Sequence, residues 1–185
     1  MLADDIIKDA QQRMEKAVNH LREELRTIRT GRASPALVDT IKVNYYGTPT
    51  PLKQLAAIST PDPQQILIRP FDANICKDIV SAIQQSDLGL TPQSDGKVVR
   101  LNIPPMSGEQ RQKLAQRVKK LCEDAKIAIR NIRRDANKRI EQEVKNKTMS
   151  EDDEERAKKK IQNLTDEEEK KAQELADKKI AEIME

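Results

Sequence analysis

The stretch "LAQRVKKLCEDAKIAIRNIRRDANKRIEQEV", residues 114–144, decides how the rest of the chain is read. Leu114, Val118, Leu121, Ala125, Ala128, Ile132, Ala136, Ile140 and Val144 recur at steps of three and four, the period of a helix with one apolar stripe. Ser107 and Gln110 have the spacing of a capping box, and "KNKTMS" at 145–150 breaks the pattern. A helix over 107–147 would run about 60 Å at 1.5 Å per residue. A helix that long with a single stripe needs other helices to cover it.

Two such partners are present. Residues 3–29 carry Ile7, Ala10, Met14, Ala17, Leu21, Leu25 and Ile28 on one face, up to the breakers Gly31 and Pro35. Ser150 is placed to cap a third helix whose first turn, "EDDEE", suits the positive end of the helix dipole. That helix continues through Ala157, Ile161, Leu164, Ala172, Leu175, Ala176, Ile180 and Ile183. The short link between the second and third helices predicts that they run antiparallel.

The residues between the first two helices differ in character. "IKVNYYG" (41–47), "LAAIS" (55–59), "QILIRPF" (65–71) and "KVVRLNIPP" (97–105) read as strands, and "ANICKDIVSAIQQSDLG" (73–89) as a helix with Ile75, Ile79, Ala82 and Ile83 inward. "TPTP" (48–51) reads as irregular because of its two prolines. The expected fold is α+β: an elongated antiparallel three-helix bundle from residues 1–30 and 106–185, with a small β/α/β domain, 31–105, inserted between helices 1 and 2. Chain enters and leaves the insert through "TGRAS" and "IPPMS", a two-strand connection suited to a hinge.

Composition supports long helices over one round globule. Charged residues make up 35% and aromatics 2% of the chain. The net charge is only +3, but residues 107–149 hold 13 basic and 6 acidic side chains, while 150–185 hold 8 and 13. Cys76 and Cys122 lack metal-ligand spacing and fit a reducing, cytoplasmic setting. The N-terminus has no secretory or transit pattern, and no run reaches the roughly 18 apolar residues of a membrane helix. Catalytic constellations are missing too. The one histidine, His20, lies beside Glu23 and Glu24 on a helix surface, and the five glycines form no phosphate-binding loop. The acidic runs 151–153 and 166–169 read as solvated helix surface. These features point to a binding or mechanical protein that is not an enzyme and needs no cofactor.

Lys119, Lys126, Arg130, Arg133 and Arg134 fall within a sector of about 100° on an ideal helix, apart from the core stripe. They can pair with acids of the third helix or grip a polyanion. Surface ion pairs contribute only ~0–1 kcal/mol each, so clustered arginines suit a polyanion better than they suit stability. The planar guanidinium fork favours RNA phosphate, and the lack of aromatics disfavours single-strand base readout. A coiled-coil adaptor or holdase, and a non-ribosomal RNA chaperone, are the rival classes. The adaptor would require exposed apolar helix surface, for which only Ile127 and Ile129 are candidates.

Five segments in order, "KDAQQRMEKAV" (8–18), "IRTGRASPALVDTIKVNYYGTPTPLKQLA" (28–56), "SDLGLTPQSDGKVVRLNIPP" (86–105), "RNIRRDANKRI" (130–140) and "SEDDEERAKKKIQNLTD" (150–166), make the whole chain resemble the bacterial ribosome recycling factors. That resemblance implies a hinged, L-shaped molecule. It implies a monomer that binds the post-termination 70S ribosome through large-subunit rRNA and, with elongation factor G and GTP hydrolysis by that factor, splits it into subunits, releasing mRNA and tRNA. It assigns RNA contact to Arg130 and Arg133, with Arg134 next to them, and to the basic pair Arg29 and Arg32; Lys126 joins the expected RNA-binding set from its place on the ridge. The hinge falls on Thr30, Gly31, Pro104 and Pro105.

Overall fold

The computed structural model describes residues 2–185. The chain forms two compact units: residues up to Ile28 with Gln112–Glu185, and Arg29–Arg111.

The first unit is helical. Helix α1 spans Leu2–Arg26, α4 spans Gly108–Lys145 and α5 spans Glu151–Met184. At 1.5 Å per residue, α4 is about 57 Å long and α1 about 38 Å. The capping box at the start of α4 is formed: the Gln110 amide donates to Ser107 Oγ (3.2 Å) and the Ser107 amide to Gln110 Oε1 (3.3 Å). Ser150 caps α5 by accepting from the Asp153 amide at 3.1 Å. Cross-helix contacts fix the directions. Arg130 meets Glu169 and Lys158 meets Glu141, so α4 and α5 are antiparallel. Arg13 meets Asp135 and Arg139 meets Asp9, so α1 is antiparallel to α4 as well.

The buried centre of each stripe is broader than the sequence reading, and in places one residue displaced from it. In α1, Ile6 and Val18 are buried, with Ile7 and Ala17 packed at the flank. In α4, Ala115, Cys122 and Ile129 are buried in place of the expected Leu114, Leu121 and Ala128. Each helix of a three-helix bundle faces two neighbours. Adjacent positions on its inner side therefore compete for the centre, and a one-stripe pattern does not rank them. Two polar side chains, Thr165 and Glu168, occupy buried positions of α5. The Thr165 hydroxyl donates back to the Ile161 carbonyl at 2.8 Å.

The second unit holds two small sheets and one packed helix. Strands β1 (Lys42–Tyr45) and β2 (Thr48–Pro51) pair antiparallel through a two-residue turn. Tyr46 and Gly47 both have positive φ there, 48° and 83°, as a type I′ hairpin requires. "TPTP" is thus a strand. It pairs only with β1. Pro49 and Pro51 are two residues apart, so their missing N–H groups fall on one side of the strand, where an edge needs no donor. After a one-turn helix α2 (Leu52–Leu55), strands β3 (Ala56–Asp62), β4 (Gln65–Pro70), β5 (Pro92–Ser94) and β6 (Val99–Asn102) form an antiparallel sheet in the order β3-β4-β6-β5. Ile66 and Ile68 of β4 and Val99 and Leu101 of β6 are buried, whereas Arg69 and Arg100 are exposed. This two-residue alternation packs one face against helix α3 (Cys76–Gln85), through Ile79 and Ile83. The β5–β6 turn is tied by Asp95 Oδ1, which accepts from the amides of Lys97 and Val98, each at 2.9 Å. Those bonds hold its carboxyl below the ordinary carboxylate range.

Candidate nucleic-acid interface

The cations of α4 do not stand clear of α5. Lys126 Nζ donates to Gln173 Oε1. Arg130 Nε donates to Glu169 Oε1 at 2.6 Å and Nη1 to Glu123 Oε1 at 3.4 Å. Arg133 Nη1 donates to Gln162 Oε1 at 3.0 Å. Among the described residues Arg134 Nη1 reaches only Asn131 Oδ1, at 3.5 Å, on its own helix. One acid in the middle of α5, Glu169, therefore faces the ridge: in an antiparallel pair, middle meets middle.

Different partners leave different charge behind. Hydrogen bonding to Glu169 raises the pKa of Arg130, and much of its charge is answered inside the molecule. Arg133 and Lys126 meet neutral amides, so their charge is positioned without being cancelled. Arg133 Nε is buried with no hydrogen-bond partner among the described residues. Its planar fork is thus half committed to Gln162. Arg134 is exposed. The line Lys126, Arg130, Arg133, Arg134 is a set of aimed donors whose excess positive charge lies on Lys126, Arg133 and Arg134. Aimed guanidinium and ammonium donors of this kind have the chemistry to hold phosphate oxygens and carry no base readout of their own.

The second group of expected residues lies in the other unit. Arg29 Nη2 donates to the Leu88 carbonyl at 3.3 Å. Arg29, Gly31, Arg32, Pro104 and Pro105 line one cavity of about 120 Å³ together with Met106. Thr30 lies between the two arginines and is half-buried. Gly31 has φ +78°, and a Cβ there would sit 3.2 Å from Met106 Cε. The left-handed backbone favours glycine, and a Cβ would also push the Met106 side-chain tip aside by a few tenths of an ångström. The structure keeps the two basic groups on separate units.

Two features escaped the sequence reading. Glu169 as the partner of Arg130 required the antiparallel register, which periodicity alone leaves open. Glu168 looked like part of a solvated acidic run but is 2% exposed. Its position seven residues after Ile161 and four before Ala172, on the same helix face, was the available signal. Ile127 is 46% exposed and Ile129 fully buried, so the exposed apolar surface that an adaptor would need is confined here to one side chain of the helix. Among the described residues, no group of three or more His, Cys, Asp or Glu side chains is arranged to hold a metal. No helix among them is long and apolar enough to cross a membrane.

The family model described as Ribosome recycling factor matches residues 21–184. The chain belongs to the ribosome recycling factor family. It is 63% identical over 138 residues to a ribosome-recycling factor of Rhodopirellula baltica, covering 75% of this chain and 74% of that one. It is 47% identical over 184 residues to that of Thermosipho africanus, covering 100% of both. A solution structure of a ribosome recycling factor superposes with a TM-score of 0.82 at 40% identity, covering 100% of this chain and 98% of the other. A second match, also 40% identical and covering 100% of both chains, has a TM-score of 0.69. It comes from models of the T. thermophilus ribosome recycling factor and the E. coli elongation factor G bound to the E. coli post-termination complex. The α+β fold of this chain is that of the ribosome recycling factor family, and the protein is a translation factor of that family.

Proposed function

We propose that the chain binds the post-termination ribosome and, with elongation factor G and GTP hydrolysis by that factor, splits it into subunits, freeing mRNA and tRNA. It does so as a cytoplasmic monomer without a cofactor or catalytic residues of its own, because the chemistry belongs to its partner. The observation that carries this reading is the 40% identity, over the full chain, to a recycling factor placed on a post-termination complex together with elongation factor G. In this reading Arg133, Arg134 and Lys126 hold large-subunit rRNA phosphates. Arg130 contributes once its Glu169 pair loosens, and Arg29 and Arg32 add contacts from the smaller unit. Thr30, Gly31, Pro104 and Pro105 form the hinge: glycine removes restraint from one connecting strand, while paired prolines keep the other extended.

The test is ribosome splitting followed by light scattering, with purified post-termination complexes, elongation factor G and GTP. Splitting that requires this chain, elongation factor G and GTP together supports the reading. Co-sedimentation with ribosomes but no splitting would leave a binding protein of another role. No co-sedimentation at low salt would overturn the reading outright.

A further inference from the structure

A second cationic surface lies on the other flank of α5. Residues 22, 25 and 26 share one face of α1, and 175, 178, 179 and 182 share one face of α5. Together Arg22, Leu25, Arg26, Leu175, Lys178, Lys179 and Glu182 line a groove of about 160 Å³. Four cations thus surround a floor made of two leucines. Their internal partners are few. Arg22 Nη1 donates to the neutral Asn19 Oδ1 at 2.6 Å. Arg26 is held loosely by Glu23 at 3.4 Å. Among the described residues Lys179 has only Glu182, at 3.9 Å, although its side chain is 15% exposed. Burial pushes the Lys179 ammonium below its ordinary pKa, so a second anion beside it would relieve an unfavourable charge. Among the described residues, none forms a hydrogen bond or ion pair with the Lys178 side chain.

The arrangement differs from an ordinary solvated face. Cations come from two helices at once around an apolar floor, and one of them, Lys179, is largely shielded from water. The ridge occupies the seam between α4 and α5, whereas this groove occupies the seam between α1 and α5, so α5 runs between two cationic lines. We propose that the α1–α5 groove is a second anchoring site, taking a backbone phosphate of RNA between Arg22, Arg26, Lys178 and Lys179. The inference rests on the reading that this unit binds ribosomal RNA. Without aromatic side chains at the groove, the contact is to backbone and carries no sequence preference.

Ribosome affinity measured across a salt series tests it in the full chain. The variant pairs Arg26→Gln with Lys178→Gln, both exposed, and its thermal melting should match the wild type. The slope of log affinity against log salt should fall by roughly 0.7–0.9 for each phosphate that the variant no longer neutralises. Affinity at moderate salt should drop about 5- to 20-fold. The charge-keeping pair Arg26→Lys with Lys178→Arg should restore the slope. A ridge variant, Arg133→Ala with Arg134→Ala, separates the possible failures. If it flattens the slope while the groove variant does not, RNA binding by the ridge stands and the groove proposal falls. If neither variant changes the slope, the RNA reading of the whole unit falls with it. Titration with inorganic phosphate, followed by amide shifts over 175–182, addresses a different source. Saturation there with an unchanged ribosome slope would make the groove a free-phosphate site and overturn the proposal. So would loss of binding to elongation factor G alone, which would make the occupant an acidic protein surface.

Discussion

Arg130 and Arg133 lie three residues apart and are committed very differently. Arg130 is ion-paired across the α4–α5 seam at 2.6 Å, and Arg133 is oriented by a neutral glutamine. Arg133→Ala should therefore weaken ribosome binding by roughly 1–3 kcal/mol and flatten its salt dependence, with little change in melting temperature. Arg130→Ala should lower the melting temperature as well, because it leaves Glu169 unpaired in a partly buried position. Equal melting losses in the two variants would show the ridge to be a structural ion-pair surface. Glu168 makes the opposite case. Its Oε1 accepts from Lys171 Nζ at 2.9 Å, but Oε2 is buried with no partner among the described residues. Glu168→Leu removes that unsatisfied oxygen and extends the apolar stripe. It should stabilise the protein by roughly 1–3 kcal/mol. Thermal melting should rise by about 2–4 °C per kcal/mol in a chain of this size; a fall would mean that the carboxylate has a partner in solution. Residue types and spacing pointed to the ridge. They did not give the partners of its members, because those depend on how two helices are set against each other.

Helices were legible as elements because their signal repeats over many turns, and because Ser107 and Ser150 marked two starts by hydrogen-bonding chemistry. Strand β2 was not. Prolines argue against strands on average, and only pairing with β1 turns the two exposed N positions into an advantage. Strand β5, three residues long, carries too little pattern to register. The cap of α5 has a pH signature. A hydrogen bond with Ser150, followed by contact with Arg156, holds the Asp153 carboxyl below its ordinary pKa. A carboxyl with a depressed folded-state pKa stabilises fully above its unfolded value, and that gain disappears as pH falls through the folded value. Asp153→Asn should accordingly melt at a lower temperature than wild type at pH 7. The gap should close in strong acid, below the ordinary carboxylate range near pH 4. A constant gap at both ends of the range would assign the effect to shape instead of charge.

As a whole molecule the protein pairs a helical unit closed by two chain segments with an inserted α/β unit. The change of composition on either side of residues 31–105 suggested an insert, whereas the compact units divide after Ile28 and after Arg111. The basic clusters were readable only as clusters, since nothing in a linear pattern places one against another. Residues 2–28 joined by a short Gly/Ser linker to 112–185 should fold as a helical bundle by circular dichroism. That shortened protein should bind ribosomes but not split them. A largely unstructured spectrum would show that the bundle depends on the insert, and full splitting activity would remove any mechanical part for it.

Each unit also holds one cysteine, both buried and unpaired. Cys76 is the first residue of α3 and lies in the core, with Sγ near the Gly96 carbonyl. Cys122 lies on α4 against the Ala172 carbonyl, and burial pushes its thiol pKa upward. A thiol reagent can reach either sulfur only when the surrounding core opens. Under native conditions, alkylation rates at the two sites therefore time the opening of each unit from within the unmodified chain. Added ribosomes should slow the reaction at Cys122 if binding stiffens the bundle. The rate at Cys76 serves as the internal clock for the other unit, and mass spectrometry of the two tryptic peptides would record both in one sample.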